Sequence, residues 1–231
     1  EEWNPETDPD IVARYSLSHL EPKQANKAAL QKECHLEIKP DVPLFGMISR
    51  FADQKGLDIL APLISEFGSK ISAQLVLLGT GEERYHALLR TEMAKHPRHL
   101  SVHILFDPRL AKRIYAGSDL FLMPSYYEPC GLGQLIAMRY GTVPLVRETG
   151  GLADTVADFQ PDVAEGNGFV FKEYRMDALR KTFEKAIKTF RDEKNWRELV
   201  KNAMKSDFSW KASAKKYAAL YRQAKKKIAM A

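Results

Sequence analysis

Cysteine is almost missing from this chain: Cys34 and Cys130 are the only two among 231 residues, and they lie far apart. That spacing offers neither a disulfide framework nor a metal knuckle, and it suits a reduced, intracellular protein. Long apolar runs are missing as well, none approaching the ~18 residues that cross a bilayer. Nothing at the start resembles a signal peptide. The six histidines, His19, His35, His86, His96, His99 and His103, show no ligand or nucleophile spacing and read as structural or surface residues. No dense basic stripe with interleaved aromatics appears, as a nucleic-acid binder would carry. Base exceeds acid only mildly, 35 against 30 for a net charge of +5, which suits a partner carrying negative charge. The one basic run, Lys225-Lys226-Lys227, reads as a solvated helix face. Internal repeats, low-complexity tracts and linkers are absent too. With no initiator Met, the opening Glu1-Glu2-Trp3-Asn4-Pro5 reads as the interior of a longer protein, removal of a Met by processing being the alternative.

What the chain does have is the composition of a globular domain, 45% hydrophobic and 28% charged, with enough length to bury a core. Apolar runs at 44–49, 74–79, 101–106, 120–124, 142–146 and 168–171 read as strands. Between them lie stretches with helical spacing, such as Leu57, Leu60, Ile64 and Phe67, or Leu132, Leu135, Ile136 and Tyr140. A helix precedes the first strand at 22–36, and three close the chain at roughly 175–190, 193–204 and 209–227. Strands separated by single helices mean βαβ units and a parallel sheet. Continuous rather than alternating apolar strands mean a sheet covered on both faces. The expected fold is therefore α/β, a doubly wound parallel sheet of Rossmann-like type.

Such a sheet binds ligands outside the carboxyl ends of its strands. Arg50 and Lys55 follow the first strand, Gly79 and Gly81 the second, and Phe106 the third. The sequence SYYEPCGLG, with Glu128, Cys130, Gly131, Leu132 and Gly133, follows the fourth, and RETGG follows the fifth. Cations, glycine turns and helix starts on one rim fit a phosphate or diphosphate. Each piece also has a plainer reading: Arg50 and Lys55 as surface charges, GTGEE as a strand-to-helix turn, Phe106 as core, Glu128 as a helix cap. The dinucleotide fingerprint lacks its third glycine, which sets a Rossmann dehydrogenase aside.

The segments SRFADQKGLD, LLGTGE and PSYYEPCGLGQLIAMRYGTVPLVRETGGLADTV closely resemble the bacterial glycogen synthase and starch synthase family. EEWNPETDPDI at the start and FSWKASAKKYAALY near the end are similar to it too. The resemblance implies one domain of a two-domain GT-B glycosyltransferase, the nucleotide-sugar-binding half. Residues 1–20 would then be an interdomain-side segment and 21–208 the Rossmann-like domain. Residues 209–231 would form a helix crossing to an N-terminal domain that this chain lacks.

It further implies transfer of glucose from ADP-glucose to the non-reducing end of an α-1,4-glucan, with retention and without a metal or other cofactor. Arg50 and Lys55 match the diphosphate-binding pair, and Glu128 the acid that holds hydroxyls of the transferred glucose. Cys130, Gly131 and Leu132 match a turn whose N–H groups meet sugar and phosphate. Gly79 and Gly81 match a loop near the nucleoside, and Phe106 a ring lying against adenine. The pattern is broken at Gly133, where many relatives carry Thr or Ser, and at Ile136, where related retaining transferases carry a second Glu. The ribose contact is thus expected elsewhere, and Arg147 and Glu148 receive no role. The implied partners are ADP-glucose or ADP and a glucan reached through the absent domain, with no nucleic acid and no membrane. The implied location is the cytoplasm of a bacterium, or a plastid. A UDP-glucose-dependent GT-B transferase and a non-catalytic glucan- or nucleotide-binding module are the alternatives.

Overall fold

The computed structural model describes residues 2–229, with side chains through residue 225. Lys226 and Lys227 of the basic run, and residues 1, 230 and 231 of the terminal segments, therefore lie outside the described side chains. Six parallel strands form one sheet: β1 (Leu44–Ile48), β2 (Gln74–Gly79), β3 (Leu100–Ile104), β4 (Leu120–Met123), β5 (Val143–Arg147) and β6 (Phe169–Phe171). Their spatial order is β3-β2-β1-β4-β5-β6. The order reverses between β1 and β4, which is where a doubly wound sheet opens a crevice. This is the expected Rossmann-like α/β architecture.

The strands are continuously apolar because both faces are covered. Successive residues point to opposite sides, so Phe45, Leu75, Leu77 and Phe121 join Phe67 and Phe183 in one core. Leu44, Val76 and Leu78 meet Leu30 and Ile114 in a second. The helices supplying these contacts are α1 (Lys23–Glu33), α2 (Leu57–Ile64), α3 (Glu83–Lys95), α4 (Pro108–Gly117), α5 (Gly133–Arg139), α6 (Gly150–Thr155), α7 (Met176–Arg191) and α8 (Glu193–Lys205). The last element is α9 (Trp210–Ala229). α4 starts where Pro108 occupies the first turn and the Asp107 carboxylate accepts from the N–H groups of Arg109 and Leu110.

Three elements stop two or three residues short of the sequence expectation. α2 stops at Ile64 rather than Phe67, beyond the interior Pro62. α1 stops at Glu33, with His35 in left-handed backbone just past it. β3 ends at Ile104, so Leu105 and Phe106 leave the sheet, and Phe106 is 87% exposed instead of core.

The lead segment 2–20 is sewn to the domain. Tyr140 Oη donates to Asp8 Oδ2 at 2.5 Å, Tyr15 Oη donates to the Tyr140 carbonyl at 2.8 Å, and Ile11 and Tyr15 are buried. At the other end, Trp210, Tyr217, Leu220 and Tyr221 on α9 are exposed. No helix among the described residues is long and apolar enough to cross a membrane.

Candidate functional site

The rim at the carboxyl ends of the strands is built from loops that continue the sheet. Past β1 and β2, Ser49 N–H donates to the Leu78 carbonyl, Phe51 N–H to Thr80 and Glu82 N–H to Phe51, at 3.1, 2.7 and 2.9 Å. Gly79 and Gly81 permit this closeness. A Cβ on Gly79 would stand 1.8 Å from the Ser49 carbonyl oxygen, and one on Gly81 2.3 Å from that of Phe51. Both glycines are thus accounted for by loop-on-loop packing, whatever else passes near them.

The Ser49–Phe51 loop then enters the 3-10 turn Asp53–Lys55. This turn aims Lys55 across the rim at Glu128, whose Oε2 lies 2.6 Å from Lys55 Nζ and also accepts from Ser125 Oγ at 3.3 Å. Glu128 is 8% exposed and caps no helix; α5 begins past Leu132 without a side-chain cap. Lys55, Glu128, Gly131, Leu132 and Gly133 share one cavity of about 170 Å³ with Ser49 and Ser125. Among the described residues, Glu128 Oε1 has no protein partner and Lys55 Nζ has only Glu128. Two lysine protons and one carboxylate oxygen are therefore free to meet a ligand.

The remaining candidates do not line that cavity. Arg50 is exposed, its guanidinium donating to Gln54 Oε1 at 2.9 Å. Cys130 is exposed with a free thiol on the turn leading into α5. Phe106 is exposed beyond edge strand β3. Three larger hollows lie elsewhere, about 380 Å³ near the amino ends of the strands, about 560 Å³ between α2 and α3 and about 280 Å³ along α9 at Tyr217 and Leu220. None contains any of these residues, so chemistry rather than size selects the site.

Several residues beyond the sequence candidates hold this arrangement. Gly150 and Gly151 sit under the Glu128–Cys130 turn: a Cβ on either would stand 2.1 Å from the Glu128 carbonyl oxygen or 1.9 Å from that of Cys130. Gln134, fully buried, donates through Nε2 to the Cys130 and Gly131 carbonyls and to Thr155 Oγ1. A buried amide within the apolar run LGQLIAM was a visible signal. Arg147 binds the carbonyls of Ser125 and Tyr126. Glu148 faces Lys172 at 3.6 Å. The only other cysteine is remote: burial pushes the Cys34 thiol up to about 12, beside His103 Nε2 at 3.5 Å. It is a packed thiol rather than a nucleophile.

Residues 31–206 match the family described as Glycosyl transferases group 1. The chain is 50% identical over 228 residues to the glycogen synthase of Desulforudis audaxviator (strain MP104C), covering 98% of this chain and 45% of that protein. It is equally 50% identical over 228 residues to the glycogen synthase of Fervidobacterium nodosum, covering 99% of this chain and 47% of the relative. Among solved structures, the catalytic domain of starch synthase IV from Arabidopsis thaliana, bound to ADP and acarbose, superposes with a TM-score of 0.86 at 37% identity. That superposition covers 96% of this chain and 46% of the other. The chain spans about half the length of the curated relatives it matches. With a parallel sheet of that architecture, and a family match running through every strand, the chain belongs to the glycosyl transferases of group 1.

Proposed function

We propose that this chain is the donor-binding half of a retaining glucosyltransferase. It would move glucose from ADP-glucose to the non-reducing end of an α-1,4-glucan, without a metal. The observation that carries the reading is the half-satisfied Lys55–Glu128 pair in the rim cavity, with Arg50 beside it. A nucleotide sugar needs just this mixture of free donors and one free acceptor. Arg50 and Lys55 hold the diphosphate and stabilise the charge that develops on it as its bond to the glucose C1 breaks. Glu128 Oε1 accepts from a hydroxyl of the transferred glucose. The acceptor's hydroxyl oxygen forms the new bond to C1, and its proton leaves toward the diphosphate.

The turn Cys130–Gly133 lies against the sugar and phosphate, the Gly79–Gly81 loop near the nucleoside, and the exposed Phe106 ring against the base. That a starch synthase similar to this chain binds ADP and acarbose supports the nucleotide assignment. The glucan is met by a second domain. The exposed face of α9, with Tyr217 and Leu220, is the seat for that domain. The isolated chain binds nucleotide and elongates glucan negligibly.

Calorimetric titration with ADP, UDP and ADP-glucose tests this reading. Saturable ADP binding, weakened about 10- to 100-fold in Arg50→Ala and in Lys55→Ala, is expected from the loss of charge-assisted bonds. Preference for UDP would move the reading to a UDP-glucose enzyme. Glucan binding without any nucleotide binding would replace it with a non-catalytic module.

A further inference from the structure

Lys55 and Glu128 lie on different loops, 73 residues apart in the chain, and neither loop alone fixes their 2.6 Å separation. Two side chains from the far half of the sheet reach both. Arg147, the last residue of β5, donates through Nε to the Ser125 carbonyl at 2.8 Å and through Nη2 to that of Tyr126. It thereby grips the segment just before Glu128. Tyr174, between β6 and α7, shares its single hydroxyl proton between Asp58 Oδ1, the nearer acceptor, and the Asp53 carbonyl at 3.0 Å. It thereby grips the turn that ends on Lys55.

The two grips are joined. The Arg147 guanidinium lies 5.8 Å from the Tyr126 ring centre and 5.5 Å from that of Tyr174, and these rings meet edge to face at 5.0 Å. From the opposite side, Arg84 and the Tyr85 hydroxyl hold the Asp53 carboxylate. Burial and the Asp58 carboxylate push the Tyr174 phenol well above its ordinary range, so it remains a donor across neutral pH.

We infer that Arg147 and Tyr174 are positioning residues: together they set the distance and angle between Lys55 and Glu128, and so the affinity of the rim for a nucleoside diphosphate. The ligand half of this statement rests on the function proposed above; the geometric half does not. Arg147 does this with a fork aimed at two adjacent carbonyls, a geometry a lysine cannot reproduce. Neither residue lines the cavity, so each acts through the pair.

The test uses the ε-methylene NMR signal of Lys55 in chain carrying 13C-labelled lysine, assigned with Lys55→Arg. Glu128→Gln supplies the signal position for the broken pair. Tyr174→Phe and Arg147→Lys are expected to move the Lys55 signal at least halfway to that position and to weaken ADP binding about tenfold. Tyr15→Phe is the structural control, because it removes a buried hydroxyl bond of the same kind near the amino ends of the strands. It is expected to lower Tm at least as much while leaving the Lys55 signal and ADP affinity unchanged. An unmoved Lys55 signal in both Tyr174→Phe and Arg147→Lys, or an equal movement in Tyr15→Phe, would overturn the inference. If the unmutated chain fails to bind ADP, the donor-site reading falls, and the Lys55 signal still decides the positioning.

Discussion

Two lysine–carboxylate pairs stand at opposite ends of the same sheet, and they differ in what is left over. Near the amino ends, Lys27 Nζ lies 2.7 Å from Asp119 Oδ2 and also donates to the carbonyls of Pro40 and Val42 at 2.9 and 2.8 Å. Asp119 Oδ2 in turn accepts from the Leu44 N–H at 2.8 Å. All three lysine protons are used, and Lys27 is 4% exposed. Each carboxylate keeps one oxygen without a partner among the described residues, and each pair borders a cavity; at the carboxyl ends Lys55 and Glu128 meet at much the same distance, yet Lys55 spends one proton where Lys27 spends three. The first pair closes the fold and the second leaves chemistry available. Proximity of opposite charges alone does not separate a structural pair from a functional one; here the count of unmet lysine donors does.

The sharpest way to break this comparison is to remove each lysine. Lys27→Met deprives Asp119 and the Pro40 and Val42 carbonyls of a buried lysine that bonds all three, and is expected to cost about 3–5 kcal/mol in urea unfolding. Lys55→Met removes one bond and leaves Glu128 with Ser125 and the open cavity, and is expected to cost less, about 1–2 kcal/mol. Similar losses in the two variants would end the distinction.

A second measurement asks how closed the amino end is. Burial lowers the Lys23 amine to about 7, with Asp119 pulling it back up and Lys27 pushing it down. Its Nζ donates to the Ala116 carbonyl and to Thr142 Oγ1 at 2.8 and 2.9 Å. Between about pH 7 and the ordinary lysine range near 10.4 the unfolded chain binds a proton that the folded chain does not. Stability therefore rises with pH through that window. Relative to Lys23→Met, the unmutated chain should gain up to about 1.4 kcal/mol per pH unit between pH 7 and 9.5. Parallel stability curves for the two proteins would show that the amine is not excluded from water.

The smallest expected effect concerns α9, the most open part of the chain. Because Trp210, Tyr217, Leu220 and Tyr221 are exposed, ending the chain at Ser209 should change unfolding free energy by less than about 0.5 kcal/mol. A loss of several kcal/mol would mean that α9 packs on this domain rather than serving as a seat for another.

The strands and their parallel order were legible because LFGMI, QLVLLG and LFLM are apolar on both faces, which only a doubly covered sheet requires. The rim is legible from topology, since Lys55 and Glu128 follow the carboxyl ends of β1 and β4, which are neighbours in the sheet. Their pairing was not legible, since it depends on where a 3-10 turn aims one side chain. Phe106 has core as its plainer reading because Leu105 and Phe106 extend an apolar run; the end of β3 at Ile104 exposes them. Arg147 could not be assigned because its partners are backbone carbonyls of a loop 21 and 22 residues away, and carbonyls leave no trace in a sequence. Gly79 and Gly81 announced a need for closeness without naming Ser49 and Phe51 as the neighbours.

The hydrogen bonds that tie Ser49, Phe51 and Glu82 to their neighbours carry a thermodynamic consequence. Fixing a free backbone costs about 1–2 kcal/mol of conformational entropy per residue, and here that loss accompanies folding of the sheet itself. A ligand arriving at the rim meets a preorganised main chain and has only side chains left to order, the exposed Arg50 foremost. Association there is governed by how few rotamers remain to be stilled.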